Sequence, residues 1–173
     1  MRTLADHGGS HVRLRVWVDP ADGYHDTAEL ARMARRARAA GLQVLVDLHY
    51  SDSWADPGRQ TKPAAWASYS TEQLRQAVYA HTYEACKKVK RHAGAPDMIQ
   101  IGNELNSGML WPDGHTWDPP NWENLAGFLR AGYDAVKACS PRTRVMLHLA
   151  NGGDNGLYRW WFCLLYTSPS PRD

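Results

Sequence analysis

A glutamate follows an asparagine at the end of an apolar run, in Gln100-Ile101-Gly102-Asn103-Glu104. A carboxylic acid held at a rigid strand end can protonate a leaving oxygen, which hydrolysis of a glycosidic bond requires. Asn103 beside it can donate a hydrogen bond to a sugar hydroxyl. An Asn-Glu pair after a strand is also typical of a helix cap or a surface loop. The chemistry therefore depends on what surrounds the pair.

Polar and aromatic residues stand at the ends of other predicted strands. Residues 11–18, HVRLRVWV, alternate with a period of two and place Arg15 on one face with Arg13 and Trp17, where an arginine also fits an interior salt bridge. Asp47 and His49 share one face at the end of the next apolar run, and either could bond substrate hydroxyls or orient its neighbours. We favour sugar contact for His49.

Three further residues are candidates for the wall of the same site. Trp54 and Trp111 lie in loops after predicted strands, where an indole can stack on the apolar face of a sugar ring. His148 lies in the last predicted strand and is a candidate for the site wall.

Strands and helices alternate along the chain that carries these residues. Apolar runs predict strands over 11–18, 42–48, 98–104 and 145–149, and helices are predicted to begin near Asp26, Ser70 and Glu123. Such alternation indicates an α/β fold with parallel strands, either a barrel or a doubly wound sheet. Polar, aromatic-rich sequence after each strand favours the barrel, and no glycine-rich phosphate loop supports the doubly wound sheet.

Composition indicates an ordinary globular domain. The 173 residues carry a net charge of +2, and the clustered arginines near 32–38 fit a solvated helix face better than a nucleic-acid surface. No run of apolar residues is long enough to predict a membrane span. The cysteines have no metal-ligand spacing, and we interpret Cys86 and Cys139 as small buried hydrophobic residues.

The last residues, 163–173, read CLLYTSPSPRD. This segment resembles the translation of a transposase adapter used in preparing sequencing libraries, and we expect that it is not native protein. The alternative is an ordinary Ser/Pro-rich terminus. On the adapter interpretation, the native domain of this chain is 1–162.

Four blocks of sequence resemble the arabinogalactan endo-β-1,4-galactanase family, glycoside hydrolase family 53, over about residues 1–162. They are VRLRVWVDPADG at 12–23, DLHYSDSWADPG at 47–58, QIGNELNSGMLWPDG at 100–114 and RVMLHL at 144–149. The resemblance implies a TIM (β/α)8 barrel, of which this chain would hold strands two to five, so the expected fold is a partial barrel.

The resemblance also implies roles for the candidate residues. Glu104 would be the general acid/base, Asn103 would donate to the sugar at the cleavage point, and Arg15 would help to hold the nucleophile ionised. The nucleophile would be a second glutamate on a later strand. Glu84 and Glu123 are more simply solvated helix residues, so we find no candidate nucleophile in this chain. After His148 the acidic pattern usual in the family is replaced by Ala-Asn-Gly-Gly-Asp.

The implied function is retaining, endo-acting hydrolysis of plant cell-wall galactan or arabinogalactan by a secreted monomer, with no cofactor, nucleic-acid partner or membrane partner. The resemblance leaves open whether a structural calcium binds in loops beyond this chain. We expect the chain itself to be inactive. The alternatives are another hydrolase of the same clan, such as a mannanase or cellulase, and a non-catalytic carbohydrate-binding protein.

Overall fold

The computed structural model describes residues 1–117 and 119–168. Its helices are α1 (Arg2–Asp6), α2 (Thr27–Ala39), α3 (Thr71–Ala93), α4 (Trp122–Cys139) and α5 (Asn155–Thr167). Its strands are β1 (His11–Val16), β2 (Gln43–Leu48), β3 (Met98–Ile101), β4 (Gly108–Met109), β5 (Gly114–His115) and β6 (Arg144–Met146). Two short 3₁₀ helices cover Ala64–Trp66 and Leu105–Ser107.

The main sheet has four parallel strands in the order β1-β2-β3-β6. Its spatial order is therefore the chain order, whereas a doubly wound sheet reverses direction at a switch point. The helices α2, α3 and α4 pack side by side in that same order. This arrangement confirms the predicted α/β fold with the wall of a barrel. It is not the arrangement of a doubly wound sheet.

Helix starts lie where the sequence predicts them. The Asp26 side chain accepts a hydrogen bond from the Glu29 N–H (2.7 Å) and caps α2. Ser70 and Gln73 form a reciprocal capping box at the start of α3. Because each cap satisfies N–H groups that the first helical turn leaves unpaired, these residues determine where the helices begin.

Three strands end earlier than the apolar runs predict, at Val16, Ile101 and Met146. The backbone N–H groups of Trp17 and Val18 donate to loop carbonyls at His25 (2.8 Å) and Ser51 (2.9 Å). The chain after β1 is thus bonded to loops, although its side chains still follow the strand pattern. Helix α5 was not predicted.

The two faces of the main sheet differ in character. Valine, leucine and isoleucine side chains on one face, including Val46, Ile99 and Ile101, are fully buried against the helices. The opposite face carries Asp47 and Gln100, which are paired neighbours in the sheet register. The hydrophobic core therefore lies between sheet and helices, and the polar face is the concave side of the barrel wall.

A disulfide corrects the interpretation of Cys86 and Cys139 as unpaired hydrophobic residues. The structure joins them, with Cα atoms 6.4 Å apart and a sequence separation of 53. Their proximity results from the packing of α3 against α4, which cysteine spacing does not reveal. Cys163 is a free, exposed thiol.

The segment predicted to derive from an adapter begins inside α5, which continues to Thr167. Residues 169–173 lie outside the described part of the chain. The origin of the segment stays a prediction.

Candidate active site

The backbone of Glu104 is held in a left-handed conformation just after β3. Gly102 has φ of 78° and Glu104 has φ of 49°. The positive φ of Gly102 favours glycine, and a Cβ there would also lie 2.5 Å from Cδ2 of Leu105. Left-handed backbone is unfavourable for a glutamate and persists where the surrounding structure enforces it, commonly at functional sites.

Hydrogen bonds with two neighbouring residues, His148 and Gln60, fix this turn. The Glu104 N–H donates to Nδ1 of His148 (3.3 Å), and the Leu105 N–H donates to the His148 carbonyl (2.8 Å). The Gln60 amide donates to the carbonyls of Asn103 (2.8 Å) and Glu104 (3.2 Å). The direction in which the Glu104 side chain leaves the backbone is thus set by neighbouring segments.

The Glu104 carboxylate forms no hydrogen bond or salt bridge with any residue of 1–117 or 119–168. Its side chain is half-buried at the concave face. A half-buried carboxyl group with an immobilised backbone and no protein partner is available to a ligand.

Asn103 is 4% exposed and most of its amide is already bonded. Its Oδ1 accepts from Arg13 Nη2 (2.7 Å), and its Nδ2 donates to the Ala55 carbonyl (2.7 Å). An amide nitrogen has two N–H groups, so one remains to donate to a sugar hydroxyl.

His148 lies beside both Asn103 and Glu104, and its role in the wall of a substrate site stays a prediction. Its Nδ1 is 3.0 Å from Asn103 Oδ1 as well as 3.3 Å from the Glu104 nitrogen. Burial lowers the pKa of His148, the nearby Arg13 charge lowers it further, and the carboxylates of Asp47 and Glu104 oppose the shift. The ring is therefore neutral near pH 7, and its Nδ1 accepts the Glu104 N–H in one tautomer and donates to Asn103 Oδ1 in the other.

Asp47 is the second carboxylate of this region, and its oxygens are occupied. It is 2% exposed and pairs with Arg13 (3.0 Å) and with His49 Nε2 (3.1 Å). The Gln100 amide donates to its other oxygen (2.6 Å). A carboxylate held in this way orients its neighbours and is poorly placed to attack a substrate.

His49 is also enclosed. It is 1% exposed, and its second ring nitrogen, Nδ1, accepts from the Ala55 N–H (3.1 Å). Both ring nitrogens therefore have protein partners, which supports the orienting alternative for His49 rather than the sugar contact that we favoured.

Arg15 and Trp54 form an aromatic and cationic cluster that adjoins His49, whose ring lies 5.5 Å from that of Trp54. The Arg15 guanidinium carbon is 4.3 Å from the Trp54 ring centroid and 5.4 Å from that of Trp17. Arg15 Nη2 donates to His25 Nε2 (2.8 Å). Trp54 remains 51% exposed, as a stacking platform needs. No carboxylate in the described chain pairs with Arg15, so its predicted pairing with the nucleophile stays a prediction.

Trp111 is held within the β4–β5 hairpin. Its indole N–H donates to the Ser107 carbonyl (2.8 Å), and its ring packs edge-on against His115 at 4.9 Å. The structure leaves it half-buried, and its stacking on a sugar stays a prediction.

The sequence did not identify three residues that bond Asn103, Glu104 or Asp47 as site residues: Arg13, Gln60 and Gln100. Arg13 lies on the same face of its strand as Arg15, and Gln100 is a polar residue inside an apolar strand. The sequence could therefore have indicated both as site residues. Gln60 lies in a loop with no periodic pattern that could have indicated it.

Within residues 1–117 and 119–168, no group of three or more His, Cys, Asp or Glu side chains could hold a metal ion. None of the described helices is both long and apolar enough to cross a membrane.

The family model described as glycosyl hydrolase family 53 matches residues 1–170. An arabinogalactan endo-beta-1,4-galactanase from Thermothelomyces thermophilus is 43% identical over 161 residues, which cover 92% of this chain and 47% of that protein. A probable galactanase of the same description from Aspergillus terreus is 40% identical, with 92% and 45% covered. The chain thus spans about half the length of the curated relatives it matches.

Solved structures agree with this similarity. A structure of fungal beta-1,4-galactanases matches with a TM-score of 0.90 at 41% identity, covering 98% of this chain and 50% of that one. The catalytic domain of a family 53 protein from Ignisphaera aggregans matches with a TM-score of 0.87 at 40% identity, covering 96% and 48%. A glycoside hydrolase family 5 enzyme from Prevotella bryantii, at a TM-score of 0.54 and 21% identity over 99% of this chain and 49% of that one, shares the fold.

Proposed function

This chain belongs to glycosyl hydrolase family 53, and we propose on that premise that the full-length protein hydrolyses internal β-1,4-galactosidic bonds in galactan or arabinogalactan. The observation that carries the proposal is the contrast between two neighbouring carboxylates. Asp47 pairs with Arg13, His49 and Gln100, whereas the carboxyl group of Glu104, whose backbone is fixed, has no partner among residues 1–117 and 119–168. That is the arrangement a general acid needs.

The proposed mechanism is a double displacement with retention of configuration. Glu104 donates its proton to the leaving galactosyl oxygen while a nucleophilic carboxylate forms a galactosyl-enzyme intermediate. Glu104 then takes a proton from the water that attacks this intermediate. The second N–H of Asn103 donates to a hydroxyl of the sugar at the cleavage point, and the exposed ring of Trp54 stacks on a sugar in the substrate groove.

The nucleophile belongs to a part of the barrel that this chain does not contain. In retaining enzymes the two carboxyl groups lie about 5–5.5 Å apart, so the partner must face Glu104 across the barrel. Asp47 is excluded from this role by its bonded oxygens. We therefore propose that residues 1–173 alone have little or no hydrolytic activity.

The other features of the proposed enzyme follow from its substrate. A cell-wall polysaccharide is met outside the cell, so we propose a secreted protein, and the Cys86–Cys139 disulfide supports an oxidising compartment. Proton transfer and nucleophilic attack are both carried by carboxyl groups, so the reaction needs no cofactor. We propose that the full-length enzyme acts as a monomer.

Product analysis on three polymers tests the proposal. Full-length protein should release galacto-oligosaccharides from β-1,4-galactan and release little from mannan or cellulose. The first products should carry the β configuration at the new reducing end, as detected by NMR. Glu104→Gln should lower kcat/KM on galactan by about 10²–10⁴-fold, because the general acid is lost while the shape is kept.

The outcomes separate the alternatives. Release from mannan or cellulose in place of galactan would assign the protein to another activity of the same fold. Binding of galactan with no release, at unchanged levels in Glu104→Gln, would favour a carbohydrate-binding protein. Robust release by the isolated 173-residue chain would contradict its proposed inactivity.

A further inference from the structure

Gln60 is a buried polar residue in the loop between β2 and α3. It is 2% exposed, and its side-chain nitrogen lies within hydrogen-bond distance of three backbone carbonyls. These belong to Asn103 (2.8 Å), Glu104 (3.2 Å) and Asp56 (3.1 Å). Two N–H groups thus serve three acceptors, with one of the hydrogens shared.

The carbonyls of Asn103 and Glu104 have a particular need for such a donor. They lie between the end of β3 and the 3₁₀ helix at Leu105–Ser107, where the chain turns through left-handed conformations. A buried carbonyl that loses its only side-chain donor is destabilised, so removing Gln60 favours a different turn.

Gln60 also connects this turn to the hairpin loop after it. The Gln60 carbonyl accepts from the Trp111 N–H (2.8 Å), and the adjacent Thr61 forms a bridge with Trp111. One residue therefore bonds three segments: the loop after β2, the turn at Glu104 and the hairpin loop that carries Trp111.

We propose that Gln60 is a positioning residue for the general acid, acting on the backbone on both sides of the Glu104 Cα atom. This inference rests on the proposed function of Glu104. Gln60 has no bond to the Glu104 carboxylate, so its loss changes where the carboxyl group points and leaves its chemistry intact. A displacement of about 1 Å is enough to lower a rate by about 10²-fold.

The test uses two variants at Gln60 and a matched control. Gln60→Glu keeps the shape but places carboxylate oxygens against carbonyl oxygens. Gln60→Leu removes the donor and adds no charge. Gln76→Leu makes the same change at an exposed glutamine on α3 that bonds only Glu72 within the described chain.

The informative readout is the dependence of kcat/KM on the leaving group, measured on aryl β-1,4-galactobiosides with the full-length enzyme. A poor leaving group needs the proton from Glu104, whereas a dinitrophenolate leaves without it. We expect both Gln60 variants to lose about 10–10²-fold on the poor leaving group and less than about threefold on the activated one. Gln76→Leu should match the unmodified enzyme on both.

Equal losses on both leaving groups would overturn the proposal, because that pattern indicates general damage to the fold. Unchanged kcat/KM in both variants would also overturn it.

Amide hydrogen exchange tests the role of Gln60 independently of the proposed function. If the unmodified full-length protein has no galactanase activity, the proposed function fails, yet the turn can still be examined. The Leu105 N–H, bonded to the His148 carbonyl, should exchange at least about tenfold faster in both Gln60 variants than in Gln76→Leu. Equal exchange in all three would show that Gln60 does not hold the turn.

Discussion

The two faces of the main sheet are held by different forces. On the outer face, Val46 and Ile99 are buried against helices by apolar contact, which is non-directional and scales with area. On the inner face, Arg13, Asp47 and Gln100 make directed bonds, each of which needs its own partner. The outer face can therefore accept another residue of similar volume, whereas the inner face depends on the identity of each residue.

The largest expected effect is on β3, where Ile99 faces outward and its neighbour Gln100 faces inward. Ile99 is fully buried, so Ile99→Ala should lower the free energy of unfolding by about 2–5 kcal/mol through lost burial and a cavity. Ile99→Val should cost about 0.5–1.5 kcal/mol. Denaturant unfolding of the full-length protein measures both.

Catalysis separates the two faces further. At temperatures where it stays folded, Ile99→Ala should retain kcat near that of the unmodified enzyme, because no bond of the Glu104 turn passes through its side chain. A loss of kcat/KM as large as that expected for Glu104→Gln would show that the outer face takes part in the chemistry and would contradict the comparison.

The same contrast explains what the sequence could predict. The helix caps at Asp26 and Ser70, and the alternation along β1, depend on residues close in sequence, so local patterns revealed them. Glu104 and Asn103 were found because they directly follow an apolar strand. Strand ends were predicted too late, since side-chain alternation continues after the backbone has left the ladder.

Contacts between distant segments escaped prediction. Gln60 meets Glu104 from 44 residues away, and Cys86 meets Cys139 across 53 residues. Neither contact leaves a periodic signal, because each depends on how the loops and helices pack. The roles of Arg13 and Asp47 likewise became clear only through their neighbours across the sheet.

His81 places a titratable ring among apolar groups. The ring packs against the edges of Tyr50 and Trp66, and its Nε2 is buried with no partner in the described chain. Burial, and secondarily the charge of Lys88, lowers the pKa of His81 to about 4. Because the unfolded chain takes up this proton near pH 6.5, stability should fall as the pH drops from about 6.5 to 4.

The loss assigned to His81 is up to about 3 kcal/mol between pH 7 and pH 4. Unfolding free energies measured across this range should therefore decline less steeply in His81→Phe than in the unmodified protein. His92→Phe, at an exposed position in the last turn of α3, is the control and should keep the original slope. Identical slopes in all three proteins would mean that burial of His81 does not govern acid stability.

The smallest expected effect concerns Trp54, which lies on the concave side but forms no hydrogen bond with Asp47 or with the side chains that bond Asp47. Its ring lies over the Arg15 guanidinium at 4.3 Å and is half exposed, so it can lend an apolar surface to a sugar. Trp54→Ala should raise KM for galactan by about tenfold, corresponding to about 1–2 kcal/mol of stacking, with kcat nearly unchanged. Trp160→Ala, at another exposed tryptophan, which packs on Trp122, should leave KM unaltered. If Trp54→Ala lowers kcat and leaves KM unchanged, the ring acts on the reacting groups. In that case Trp54 is not simply a surface on which the sugar binds.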